Sequence, residues 1–537
     1  MRLFSVIFLC VLVLAGCQAE RPLSLPTPTS QTQPAPALAT AAHTPTAEPP
    51  TPTAVPSQTP IPPATATATT VPSPTPKPVV SLFLPAAWQA IADTIVTELN
   101  AAHPATDWVL SSSEPSAQIS LVNQEGGLPV HQEPLALVVP FNTNWDNTDQ
   151  LTAQGIIDQG HGLVKVMPWS HIHPAQKSLR IDGRFPADAD YPFHTTWSLA
   201  VQPGAEEAAA AAAPIFQQAL ADPVVHLAAV GDIMLDRTLG SVIADGGIEF
   251  PFRLVADSLQ PADITVGNLE TALGDTGEPV VKSYTFQSPP GAAESLAWGG
   301  FDVVSLANNH ALDYGPESLL QGIDLLKAQN VAPIGAGINA AAARAPHIIN
   351  VNGYDVAFLG YVHVPVEARG VYFDTATWTA TETEPGLAWA VPEEIKEDVT
   401  AVLPQADLVV VVLHSGYEYV EPPSEEQTAA AQAAIDAGAD IVIGHHAHIL
   451  QAVQFYKDGI IFYGLGNFAF NIDGNPDTAI LNVWLDKAGV RQFEFIPAIV
   501  QYGGQPRLAD PTEAADIRAR IYRLSQGFPA PVVTNPR

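Results

Sequence analysis

Five short apolar runs, each ending in a polar cluster, constrain this chain more than any other feature. They read HLAAVGDIMLD (226–236), DITVGNLE (263–270), DVVSLANNHALDYG (302–315), LVVVVLHSGYEY (408–419) and DIVIGHHAHILQ (440–451). Each run is β-branched or otherwise strand-like, and each ends in Asp, Asn, Glu or His. In an open α/β sheet the carboxyl ends of parallel strands share one edge, and ligands bind there. Segments far apart in sequence thereby deliver oxygen and imidazole groups to one place. That is the arrangement a metal site needs.

The runs belong to a region, 226–505, that alternates strands and helices. Val356–Tyr361 and Ile460–Tyr463 read as further strands, and Glu317–Gln329 and Glu425–Ala437 as helices. Gly438 stands where a glycine closes the second helix. Ala479–Leu485 and Gln492–Ile496 alternate in polarity and read as an antiparallel pair. Residues 506–537 hold one short helix near Thr512–Leu524 and a tail. Ahead of this region, 79–222 reads as a small α/β domain: a strand at Val79–Leu84, helices at Trp88–Asn100 and Gln150–Gln159, a strand at Leu135–Pro140, and an Ala-rich helix at Glu206–Ala221. Residues 18–78 are Pro, Thr, Ala and Ser with scarcely a charge. They cannot bury enough surface to offset chain entropy and read as a disordered, extended tether. At ~3.1 Å per residue it reaches well over ~100 Å.

The chain carries 55 acidic and 22 basic residues, a net charge of −33. No Lys/Arg-rich stripe appears, which excludes a nucleic-acid footprint and disfavours adsorption to anionic lipid. Residues 1–17 have the form of a secretory signal: Arg2, an apolar stretch from Leu3 to Leu14, then small residues. Leu14-Ala15-Gly16-Cys17 resembles the lipobox of bacterial lipoproteins. The resemblance implies cleavage before Cys17, its lipidation, and an extracytoplasmic chain held to the membrane by that anchor alone. Cys10 is then discarded, and no thiol remains for a disulfide or a thiolate metal site.

Asp232 ends the first run, Asn268 and Glu270 the second, Asn309 and His310 the third, with Asp313 one turn on. His414 ends the fourth, and His445, His446 and His448 close the fifth. Carboxylate, amide oxygen and imidazole together suit one or two divalent ions of Mn, Fe or Zn. Two ions about 3.5–4 Å apart support in-line attack on a phosphoryl group, and a histidine left free of metal is placed to move a proton. Taken singly, a Gly-Asp pair or an Asn-His pair is more often a turn or cap. Recurrence at one topological position makes the argument. Tyr417 and Glu418, just beyond the fourth run, are candidates to line a substrate pocket. A second His-x-His, at His171 and His173, sits in a loop without partner clusters. Gly335-Ala336-Gly337 lacks the Lys of a P-loop and reads as a turn. No Gly-x-Ser-x-Gly elbow occurs.

In order, Gly231-Asp232, Gly267-Asn268-Leu269-Glu270, Asn308-Asn309-His310, His414-Ser415-Gly416-Tyr417-Glu418, Gly444-His445-His446-Ala447-His448 and Tyr463-Gly464-Leu465-Gly466-Asn467-Phe468 resemble the CapA-type poly-γ-glutamate capsule biosynthesis proteins. Those belong to the calcineurin-like metallophosphoesterase superfamily. The resemblance covers roughly 226–470. It implies a sandwich of mixed sheets flanked by helices, with Asp232, Asn268, Glu270, Asn309, His414, His446 and His448 as the metal set. His445 and His446 are interchangeable in that assignment. It also implies Asn309 and His310 as the groups acting on substrate, and Tyr417, Glu418 and Asn467 as substrate-binding. The partners it implies are an anionic extracellular polymer or a phosphoester, together with membrane proteins of capsule synthesis.

Departures accompany the matches. Met234 stands where the superfamily has the histidine of Asp-x-His. Asn268 replaces a bridging Asp, and an amide bridges two cations less well than a carboxylate. Glu270 is the residue that could compensate. Ser415 replaces a usual Trp and is expected to leave the outer pocket more open. Two functions follow: a surface lipoprotein of capsule-polymer synthesis or export with a phosphoesterase-like site, or a non-catalytic envelope accessory that binds an anionic polymer.

Overall fold

A computed structural model describes residues 76–528, apart from 125, 368–369 and 472–473. The signal, Cys17 and most of the tether lie outside the described residues. Among these, no helix is long and apolar enough to cross a membrane.

The valine-rich runs become strands buried on both faces. Strands β1 (Val225–Met234), β2 (Ile264–Leu269) and β3 (Val303–Ser305) lie side by side and parallel in one sheet. A second sheet is centred on β4 (Tyr354–His363), β5 (Leu408–Ser415) and β6 (Ile441–His445), again parallel. The chain then returns to the first sheet. There β7 (Asn467–Phe470) pairs in parallel with the end of β1, and β8 (Asp477–Asp486) and β9 (Gly489–Val500) extend the sheet antiparallel.

Alternation along each strand decides which layer it faces. Leu408, Val410 and Val412 of β5 meet Leu227, Ala229 and Val266 of the first sheet in one core between the sheets. Val409, Val411 and Leu413 point the other way, under α4 (Pro392–Val402) and α5 (Glu425–Asp436). The outer face of the first sheet is covered by α1 (Arg237–Ala244), α2 (Gly291–Trp298) and α3 (Gly315–Ala328). The result is a helix–sheet–sheet–helix sandwich. Each fully buried Val or Leu in it contributes about 1.5–3 kcal/mol of transfer free energy.

Residues 79–222 fold around their own seven-stranded sheet, packed under helices Ala92–Ala102 and Glu206–Ala219. The first of these helices is preceded by a 3-10 turn, Ala86–Ile91, so the expected single helix from Trp88 is split. This region rests against β8 and β9. Phe185 stacks on Trp484 at 3.9 Å, and Arg180 pairs with Glu494 at 2.6 Å.

Candidate metal centre

Register brings the polar clusters together. Asp232 on β1 lies beside Asn268 on β2 and Asn467 on β7, while His414 on β5 lies beside His445 on β6. The carboxyl ends of both sheets therefore open onto one edge. Gly231 makes the close approach there: a Cβ at this position would stand 2.0 Å from the Gly466 carbonyl oxygen. Only a glycine lets β1 pass that turn, and the Asp232 amide then donates to Gly466 at 2.9 Å. His446 and His448 both adopt left-handed backbone, with φ of 85° and 54°; the His446 ring groups with Glu270 and His414, and the His448 ring with Asp232 and Glu270. Such conformations are uncommon outside glycine and cost free energy that the surrounding packing offsets.

Two triplets of candidate ligand atoms form at this edge, Asp232–Glu270–His448 and Glu270–His414–His446, and all of these residues are buried. Glu270 belongs to both. Its Oε1 lies 3.5 Å from His414 Nε2 and 3.7 Å from His448 Nε2. Neither Glu270 carboxylate oxygen has a hydrogen-bond partner, and the residue is fully buried. Burying a carboxylate unpaired costs several kcal/mol, so such a group neutralises itself or meets a cation. Burial accordingly pushes the Glu270 carboxyl well above its ordinary range. For Asp232 burial works in the same direction but is overcome by His445 and His448, which hold the carboxyl well below it. His446 is driven down to about 3 by burial and by the neighbouring His448, so its imidazole is neutral. For His448 burial lowers the pKa, but the Glu270 and Asp232 carboxylates outweigh it and raise it to about 10. Burial keeps His414 well below its usual value. Orphaned oxygen and nitrogen donors around a buried anion, without sulfur, suit a hard or borderline divalent cation.

Asn268 is engaged at both ends of its side-chain amide. Its Nδ2 lies 2.9 Å from Asp232 Oδ1 and 3.1 Å from His414 Nδ1, and its Oδ1 accepts from Asn308 Nδ2 at 3.1 Å. Both ends of the amide are spent on orienting neighbours, and Glu270 two residues on is the residue common to the two triplets. Asn309 presents Oδ1 2.7 Å from His414 Nε2 and donates from Nδ2 to Glu367 at 2.7 Å. His445 Nδ1 comes within 3.1 Å of Asp232 Oδ1, beside the triplets rather than within one. His310 stands across the opening, its Nδ1 2.7 Å from Asp313 Oδ2 and its ring against Phe286.

Above the centre is a cavity of about 650 Å³, lined by His310, His446 and His448 at its floor. Tyr417, Glu418 and Arg237 are among its wall residues. Asn467 is absent from the cavity lining: it is buried, and its Oδ1 lies 2.9 Å from His448 Nδ1. Ser415, expected to widen the outer pocket, is wholly buried in β5 and is absent from the cavity lining. Met234 is also buried and packs with Phe286 and Phe470. His171 is exposed at the end of a 3-10 turn, Trp169–His171, where a loop was expected, and His173 Nδ1 accepts from the Ala175 amide at 3.1 Å. Sequence reasoning missed Lys282, Glu367 and Arg237. Lys282 lies in an irregular connection and Glu367 in a two-residue strand, Val366–Glu367, too short for periodicity to mark; Arg237 opens α1 at a φ of 52°.

Residues 226–472 match the model of a family described as bacterial capsule synthesis protein PGA_cap. The capsule biosynthesis protein CapA of Bacillus anthracis is 34% identical over 304 residues, covering 55% of this chain and 71% of that protein. The PGA biosynthesis protein CapA of Bacillus subtilis (strain 168) is 32% identical over 281 residues, 51% of this chain and 72% of that one. Among solved structures, a phosphatase of Mycoplasma pneumoniae aligns with 55% of this chain and 97% of its own, at 12% identity and a TM-score of 0.35.

Proposed function

The chain belongs to the bacterial capsule synthesis protein family, and from that premise we propose that it acts in making or exporting poly-γ-glutamate or a related anionic polymer at the cell envelope. In this reading it is a lipoprotein tethered through Cys17, and capsule-synthesis membrane proteins are its partners. Its centre is a metal-dependent, phosphoesterase-like site. The observation that carries the site is the pair of buried triplets sharing Glu270.

Asp232, Glu270 and His448 would hold one divalent cation, and Glu270, His414 and His446, with the Asn309 amide oxygen, would hold a second. Cations there supply charge to polarise a phosphoryl or carbonyl oxygen and to lower the pKa of water. The chain's own groups do the rest. Asp313 takes the Nδ1 side of His310, which leaves Nε2 for the substrate side; in the imidazolium form Nε2 would give its proton to the leaving oxygen. Tyr417 and Glu418 on the wall position the substrate, and the apolar packing of Met234 keeps water from beneath the site.

Metal analysis of the purified full chain in detergent, paired with turnover of phosphoester and poly-γ-glutamate substrates, tests this directly. We expect about two transition-metal ions per chain and turnover lost in Asn309→Ala. A natively folded chain that takes up no metal overturns the reading. Met234 favours a second reading, a polymer-binding accessory in which the cations only recruit carboxylates. Stoichiometric metal with polymer binding and no turnover selects it.

A further inference from the structure

Among the described residues, Lys282 is the basic side chain that meets both working groups of the third cluster. It sits in the irregular connection 274–286, and its side chain is wholly buried. Its Nζ lies 2.7 Å from Asp313 Oδ1 and 2.7 Å from Glu367 Oε1, donates to the Asn309 carbonyl, and approaches His310 Nδ1 to 3.3 Å. The Trp378 ring, 5.0 Å away, closes the remaining side.

The two carboxylates it joins each orient a different residue of the centre. Asp313 Oδ2 accepts from the Phe286 amide at 2.8 Å, and its Oδ1 accepts from Lys282. An ionised carboxylate held by two obligate donors can only accept from His310, so the imidazole proton sits on Nδ1. Glu367 accepts from Asn309 Nδ2, which aims Oδ1 at His414 and the centre. Without the ammonium, Asp313 and Glu367 would be two carboxylates crowded beside one buried site, and one would protonate or swing out.

We propose that Lys282 is a positioning residue: clamped between Asp313 and Glu367, it sets the tautomer of the His310 ring and the amide face of Asn309 at once. This rests on the reading of Asn309 and His310 as working groups of a metal centre. Lys282 is absent from the cavity lining and touches no substrate. Its influence runs through its two carboxylates.

The test uses the full chain with nitrogen-15-labelled histidine, comparing wild type with Lys282→Met in the metal-free state, and then measuring Co²⁺ affinity. In wild type His310 should give a single neutral tautomer protonated on Nδ1. In Lys282→Met that signal should become a mixture of tautomers, with Co²⁺ affinity falling about 10-fold or more, as loss of outer partners of ligands commonly does. A folded Lys282→Met with an unchanged His310 signal and Co²⁺ affinity within about twofold overturns the proposal. Should Lys282→Met not fold, Glu367→Ala removes the half of the clamp that reaches Asn309; a fall of about 10-fold in Co²⁺ affinity is expected, and unchanged affinity overturns the role. A wild type that binds no Co²⁺ sinks the metal reading alone, since the His310 tautomer still reports on Lys282.

Discussion

The chain contains the same three-residue pattern twice, with opposite outcomes. In His171-Ile172-His173 the isoleucine is fully buried and carries the anchoring, so the flanking histidines turn outward; one is exposed and the other is tied into its own turn. In His446-Ala447-His448 the central residue is small, both histidines are buried with left-handed backbone, and the His446 ring groups with Glu270 and His414, the His448 ring with Asp232 and Glu270. Among the described residues, both groups able to hold an ion lie at the second segment. The pattern itself carries little information. Convergence of other strand ends upon it makes the difference.

Three measurements can break or sharpen that contrast. Glu270→Gln should have the largest effect, because it removes the one anion common to both triplets. Bound metal should fall from about two ions to fewer than one, a loss of affinity above about 100-fold, read by metal analysis after dialysis. Retention of both ions would mean that Glu270 is not shared.

The intermediate effect is one of pH. In the metal-free state Glu270 is held up by burial and His448 is raised to about 10, so the pair keeps at least one proton at neutrality. A cation must displace it. Affinity should therefore rise with pH by about tenfold per unit near pH 7 for each proton released. Calorimetry in buffers of different ionisation enthalpy counts those protons, and an affinity flat between pH 6 and 8 would contradict the arrangement. The smallest effect belongs to the other segment. The double substitution His171→Ala, His173→Ala should leave metal stoichiometry unchanged and stability within about 1 kcal/mol, checked by metal analysis and thermal melting.

Much of the sandwich was legible in the chain. Strands buried on both faces must be apolar at nearly every position, and that signal survives in Leu408–Leu413 and Ile441–Ile443 without any tertiary knowledge. The helix starting at Glu425 was equally plain, since Ser424 and Gln427 form a reciprocal cap. The first-row groups at the strand ends were legible for the same reason. Asn268, Asn467 and Ser415 were not, because a short polar side chain at a strand end serves equally as ligand, strut or filler. Lys282 and Glu367 were still less visible. One lies in an irregular connection and the other in a two-residue strand, and their importance comes from a meeting of Lys282 with Glu367 that local sequence does not encode.

By itself the sequence determined that parallel strands would carry oxygen and nitrogen donors to one edge, because strand burial and strand polarity are local properties of the chain. Tertiary structure decided which donors share a centre. It put Glu270 in both triplets, set His448 against carboxylates, and placed a buried lysine behind Asn309 and His310. Those outcomes depend on distances of about 3 Å between segments tens to hundreds of residues apart, and hydrogen bonds and ion pairs discriminate at that scale.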